Sequence, residues 1–392
     1  MVGKFQTAKQ VSTAFKFPKD IFFEEGKFIM KKTLAAVAIL GAFAGSALAA
    51  DVTLYGRVNL GLHYSHVDQD GSADVDEWGL RSGDATGSRF GIKGEEQISD
   101  GLTVGFQLEQ GFNADDGNQS DSSKAFNRES RLYVKTEYGT LHLGHFGALD
   151  SGTGSVDVAA GFTASGTGYG DNIVDQSRVF KTYSTRMDNS IAYTSPEFAG
   201  VTFHAMASLG NTGSVSEGVY TPAVGEESSH QVDRYYGLAV TGQWGAMGAG
   251  LVVSQADLGS LQGKAGDPDA DDPLNVTASV NYDFGVTKVY LAANYFDEGK
   301  TVDTDYSQWG VMLSAATPIA SGTLETAVGY AVGTDDMRTG DDEEKVFNIG
   351  AYYKYPLSKR TYVYAGVGYD SEDAYGTKTK TTEVMTGMAH YF

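Results

Sequence analysis

Basic residues recur in this chain at positions that alternate with apolar ones. Arg57 is set among Val52, Leu54, Val58, Leu60 and Leu62. Arg89 and Lys93 are set about Phe90 and Ile92, and Arg131 and Lys135 about Leu132 and Val134. A side-chain period of two sends each set of charges to the face opposite its apolar neighbours. Four acids, Asp150, Asp157, Asp171 and Asp175, fall without such alternation in the Gly/Ser/Thr-rich stretch from Gly147 to Met187. Positive charges on one side of a space and negative charges on the other would set a field across it. Such a field orders water and sorts solutes by charge. Covalent chemistry is not suggested. The chain has no Gly-x-Ser-x-Gly elbow, no His-Glu-x-x-His and no phosphate-binding glycine loop ahead of a helix. His142 and His145 are too weak a pair to make a metal site, and no catalytic residue, cofactor or metal is expected.

Charges on one face need strands to hold them. Leu274, Val276, Ala278, Val280, Tyr282 and Phe284 alternate with Asn275, Thr277, Ser279, Asn281 and Asp283. Sixteen such segments begin near residues 51, 88, 101, 127, 139, 189, 200, 232, 245, 274, 286, 306, 320, 345, 359 and 381. Short turns such as Asp100-Gly101, Tyr138-Gly139, Gly245 and Pro356-Leu357-Ser358 join them in pairs, and long polar connections lie between the pairs. Strands of about 9–11 residues span a bilayer, with short turns on the periplasmic side and long loops outside. The expected fold is therefore all-β: a sixteen-stranded antiparallel transmembrane β-barrel. Closure satisfies every backbone group in lipid and removes sheet edges. Sixteen strands leave an aqueous lumen, whereas about eight would be filled by side chains. A charge on the lipid face costs about 2–4 kcal/mol near the midplane. Arg57, Asn59 and His63 are thus expected inward, with Arg89, Lys93, Glu95, Glu129, Arg131, Lys135, Glu137 and His142. Aromatics such as Tyr282, Phe284, Tyr295, Trp309, Tyr353 and Tyr355 fall outward at strand ends, as girdles do. The connection from Gly147 to Met187 carries Phe162, Tyr169, Val174, Val179 and Phe180. Those residues predict a long third external loop folded in against the barrel wall.

The ends agree with export. Met30-Lys31-Lys32, an apolar run from Leu34 to Phe43 and Ala47-Leu48-Ala49 read as a signal peptide over residues 30–49. Residues 1–29 are then expected to be a mis-called extension, and residues 50–392 the barrel. Peptides from residues 5–25 in the precursor would contradict this. The last strand, Val384 to Phe392, ends in an aromatic residue, the outer-membrane assembly signal of a Gram-negative barrel. No other stretch is apolar enough for a spanning helix. Gly is abundant at 50, Pro is scarce at 7 and Cys is absent, so an exported chain would hold no disulfide. The formal charge is −21, which excludes general nucleic-acid binding. Acidic runs such as Asp267-Pro268-Asp269-Ala270-Asp271-Asp272 are expected to be solvated loops beside outer-membrane lipid and lipopolysaccharide.

The motifs Ser88-Arg89-Phe90-Gly91-Ile92-Lys93-Gly94-Glu95-Glu96, Tyr138-Gly139-Thr140-Leu141 and Ser195-Pro196-Glu197-Phe198-Ala199-Gly200 occur in that order, and Gly387-Met388-Ala389-His390-Tyr391-Phe392 closes the chain. The chain resembles the general porins of Gram-negative bacteria, of the neisserial and comamonad type. The resemblance implies a homotrimer of sixteen-stranded barrels, each narrowed by its third external loop, passing small hydrophilic solutes and ions by passive diffusion. It also implies an arginine wall faced by loop acids. Arg89 sits at the matching basic position and Arg186 in the approach to the sixth strand. Ala192 and His145 depart from it where basic residues are usual. A solute-specific channel and an adhesive or structural barrel are the alternatives.

Overall fold

The structure, a computed structural model, describes residues 52–165, 174–211, 233–257, 271–300, 305–339 and 343–392. Alternation becomes strand nearly wherever it occurs. In chain order the strands are β1 (Thr53–Gln69), β2 (Val75–Ser82), β3 (Arg89–Ser99), β4 (Leu102–Gly111), β5 (Glu129–Thr136) and β6 (Gly139–Gly147). They continue as β7 (Arg186–Thr194), β8 (Val201–Asn211), β9 (Asp233–Trp244), β10 (Met247–Asp257), β11 (Leu274–Asp283) and β12 (Lys288–Lys300). The last are β13 (Asp305–Ile319), β14 (Gly322–Asp335), β15 (Glu343–Ser358), β16 (Thr361–Ala374) and β17 (Thr377–Tyr391). Every pairing is antiparallel between neighbours, and β17 returns to β1.

The wall is a closed barrel of sixteen positions, because β2 and β3 share one. β3 pairs with the inner part of β1, Arg57 opposite Arg89 and Thr53 opposite Lys93. β2 pairs with the outer part, Leu60 opposite Ser82 through Val67 opposite Val75. Between them residues 83–88 step out of the ladder, and Asp84, Ala85, Thr86 and Ser88 are buried. Asn59, fully buried, holds the step: Ser88 Oγ accepts from its backbone N–H at 3.0 Å, and its Oδ1 accepts from Ala85 N at 3.2 Å. Besides the extra strand β2, two details differ from the sequence expectation. The last short turn lies at Lys359-Arg360, while Pro356 stays in β15 at a register shift, a place where a residue without an N–H is tolerated. Glu137 lies in the turn after β5 rather than on the inward face.

The two faces separate as the period requires. Leu54, Leu62, Phe90, Leu132 and Leu291 are exposed outward, while Asn59, Glu129, His142, Asn275 and Asn294 are buried on the inner side. The seam is closed at its inner end by Phe392, whose N–H donates to Gly56 O at 3.0 Å while Gly56 N donates back at 3.1 Å. A Cβ on Gly56 would meet the Phe392 ring at 2.4 Å, so only glycine admits the ring there. Residues 1–51, including the expected signal peptide, lie outside the described residues.

Candidate functional site

β1 and β3–β6 bring the expected basic residues onto one inward wall. Arg89 Nη1 lies 3.5 Å from Glu109, which also accepts from Arg128 Nε at 2.9 Å and from the Tyr55 hydroxyl at 3.0 Å. Arg131 is 3.3 Å from Glu129; it donates to Gln107 at 2.7 Å and to His142 Nδ1 at 2.6 Å. Lys135 and Tyr133 both bind Glu95. Arg57 and Lys93 differ from these. Neither has a carboxylate within ion-pair reach among the described residues. Each lies over a tyrosine ring, Arg57 over Tyr391 at 5.7 Å and Lys93 over Tyr55 at 5.1 Å. Arg186 donates to Arg128 O at 3.1 Å and to Thr153 at 3.2 Å, at the rim of the same wall. A cavity of about 610 Å³ opens on Lys93, Gln107, Arg131, Lys135 and His142.

The connection between β6 and β7 is docked by its acids. Asp150 is 4% exposed and accepts from three strands: the Tyr235 hydroxyl of β9, Ser254 of β10 and Asn275 of β11. Asp157 accepts from the backbone N–H groups of Gly152 and Ala160, both at 2.8 Å. Enclosure holds its carboxyl well above the usual carboxylate range, against the pull of those N–H groups. Asp175 is buried and accepts from Ser177 N at 2.8 Å, capping a short 3-10 turn. These three acids therefore face the wall or the loop's own backbone, not the space opposite the arginines as expected. A short carboxylate in a Gly/Ser-rich segment captures nearby donors first, because a buried unpaired donor is costly. Asp171 lies outside the described residues. Phe162 packs where Gly250 leaves room, and Val179 where Gly310 and Gly329 do. Ser155 also reaches the basic wall, its N–H donating to Glu129 at 2.8 Å.

Acids instead gather on the inward face of β14–β17, toward the long-loop end. Asp335, Glu344, Asp370, Glu372 and Glu383 lie there, with Asp84 of the step beside them. The loop answers with cations. Arg178 reaches Glu383 at 2.8 Å and Asp370 at 3.6 Å; Lys181 reaches Glu344 at 3.2 Å. His63 lies between Asp84 and Glu383, at 3.2 and 3.5 Å. The register sets this group outward of the basic one: Glu383 pairs with Ser65, whereas Arg57 pairs with Tyr391 near the short-turn end. Sequence reading missed Arg178, Lys181 and these acids as partners. Period two would have turned Glu344, Asp370 and Glu383 inward, but nothing local pairs them with a loop residue some 200 positions away.

Among the described residues no three His, Asp or Glu side chains could hold a metal ion. A family model described as Gram-negative porin matches residues 34–375. An outer membrane porin of Bordetella pertussis is 30% identical to this chain, over 93% of it and 100% of its own length. Outer membrane porin protein 32 of Delftia acidovorans is 29% identical, over 87% and 89% respectively. Among solved structures, an anion-selective porin from Comamonas acidovorans matches with a TM-score of 0.66 at 24% identity, covering 88% of this chain and all of that one. At that identity the likeness concerns the fold.

Proposed function

We infer, for a chain that belongs to the Gram-negative porin family, that the basic wall of β1 and β3–β5 sets the charge preference of an open channel. The protein is an outer-membrane porin, a water-filled barrel through which small hydrophilic solutes and ions diffuse passively. The reading involves no catalytic step. In the proposal Arg57, Arg89, Lys93, Arg131, Lys135 and Arg186 form the positive side of the constriction. The negative side is the outer group of Glu344, Asp370, Glu372 and Glu383, in place of Asp150, Asp157 and Asp175.

One observation carries the preference. Arg57 and Lys93 are inward cations with no carboxylate within ion-pair reach among the described residues, although Glu95 lies near enough to Lys93 to interact with its charge, so Arg57 above all keeps a charge that is not cancelled locally. A fixed uncancelled charge in a narrow aqueous path raises the local concentration of its counter-ion. The channel is therefore expected to prefer anions, a preference it would share with the anion-selective porin of Comamonas acidovorans. A homotrimer is proposed on family grounds; a trimer form occurs among the matching solved structures. Phe392 is proposed as the assembly signal, residues 30–49 as the export signal, and lipopolysaccharide as the neighbour of the acidic loops. Reversal potential in a planar bilayer under a roughly tenfold KCl gradient tests the preference. An anion-selective potential supports it, and a cation-selective one transfers control to the outer acids.

A further inference from the structure

At the short-turn end, the inward faces of β15, β16, β17 and β1 carry a row of tyrosine rings that ends on a guanidinium. Tyr352 and Tyr364 have ring centroids 5.4 Å apart, Tyr364 and Tyr362 6.3 Å, and Tyr362 and Tyr391 6.2 Å. The Arg57 guanidinium lies 5.7 Å from the Tyr391 centroid. Glycine makes the row possible. A Cβ at Gly61 or Gly387 would meet the Tyr364 hydroxyl at 2.7 or 2.5 Å, so that ring lies flat across its neighbouring strands. Asn59 Nδ2 fixes it by donating to the hydroxyl at 3.2 Å. Tyr352 and Tyr364 form a buried floor, and Tyr362 and Tyr391 are half-buried on the lumen side of it.

Arg57 stands apart from the other wall arginines. Arg89 and Arg128 share Glu109, and Arg131 is beside Glu129. Arg57 makes one long hydrogen bond, 3.5 Å to the Tyr391 hydroxyl, and its Nε is buried with no partner. The site therefore offers an uncancelled guanidinium fork beside two aromatic faces, with no competing carboxylate among the described residues.

We propose that Arg57, Tyr391 and Tyr362 form a transient binding site for aromatic carboxylates crossing the pore. The proposal rests on the open-channel reading and narrows it. A guanidinium binds a carboxylate through two parallel N–H donors. A planar ring carried by that carboxylate would lie against Tyr391 and Tyr362, where offset or edge contacts between aromatic rings are favourable. A saturated ring of equal charge keeps the first interaction and loses the second. A permeation site must hold weakly enough to release its solute, and a half-buried two-ring shelf with one arginine meets that requirement.

Current fluctuations of the refolded full-length protein in planar bilayers test this, with benzoate, cyclohexanecarboxylate and acetate as probes. Benzoate should interrupt the current at a concentration about fivefold below cyclohexanecarboxylate, with acetate weaker than both. Arg57→Gln should abolish the benzoate interruptions. Tyr362→Leu should bring benzoate to the level of cyclohexanecarboxylate. Tyr355→Leu, on the outward face of β15, should leave the block as it is in the unmodified protein. Equal block by the two ring acids would overturn the proposal, and so would benzoate block that survives both Arg57→Gln and Tyr362→Leu. The two substitutions lie on different strands, so misassembly of one variant leaves the other to decide. A conducting channel without differential block defeats this inference alone, whereas an unmodified protein that never conducts defeats the channel reading with it.

Discussion

The wall of β3–β5 and the wall of β14–β17 treat charge in opposite ways. On β3–β5, Arg89, Arg131 and Lys135 meet Glu109, Glu129 and Glu95 of the same wall, so the pattern is complete within the barrel. On β14–β17, Glu344, Asp370 and Glu383 are answered by Arg178 and Lys181 of the loop. One wall is set when its strands pair. The other is finished only when the loop docks. Changes in the loop should therefore alter the outer acidic group strongly and the basic wall little.

The largest expected effect is that of Asp150→Ala. It leaves the Tyr235, Ser254 and Asn275 donors buried without their acceptor, at about 1–3 kcal/mol for each orphan. The first half of the loop should come away from β9–β11, with higher and noisier conductance and faster proteolysis between residues 150 and 165. An unchanged conductance would mean that the apolar contacts of Phe162 hold the loop alone. Arg178→Gln comes next. It removes the cation from Glu383 and Asp370, at a cost of about 1–2 kcal/mol once partial exposure is discounted. Reversal potential should move toward cations, while the Arg131–Glu129 pair stays in place. A potential that does not move would show the outer group to be electrically silent, and the contrast between the walls would fail. The double substitution of Arg57→Gln and Lys93→Gln should remove most of the anion preference without altering thermal stability by more than about 1 kcal/mol, since neither residue has a carboxylate within ion-pair reach among the described residues and Glu95 keeps Lys135 as its partner. Melting far below the unmodified protein would contradict that. Glu372→Gln should have the smallest effect, a slight shift toward anions. At about 1 M salt, where the Debye length is about 3 Å, the shift should disappear; persistence there would point to a steric cause.

Much of this was legible in the residues. Leu274 to Phe284 announces β11, and the same alternation places Arg89, Arg131 and His142 inward, because lipid penalises the reverse register. It also identifies the outward ring of Tyr282, Tyr295 and Trp309. Three things were not legible. β2 reads Val75-Asp76-Glu77-Trp78-Gly79-Leu80, too polar for a lipid-spanning strand, and its pairing to the outer part of β1 depends on the step at residues 83–88. The loop acids gave no facing signal, since period two ends where the strand ends. The tyrosine row was hidden by its neighbours: Tyr353 and Tyr355 suggest a girdle, although Tyr352 beside them has the opposite parity, and Tyr362 and Tyr391 join it only through the pairing of β15 with β16, of β16 with β17 and of β17 with β1.

The β1–β17 seam has a consequence for the order of events. Arg57 pairs with Tyr391, and Gly56 exchanges two backbone bonds with Phe392, so the two ends of the sheet meet only across nearly the whole chain. Contacts of such separation are slow to form. Until β17 is in place, β1 and β16 each carry an unpaired ladder that invites other chains. Closure is thus a late event of folding. A chain shortened by its last strand would remain an open ribbon with two adhesive margins.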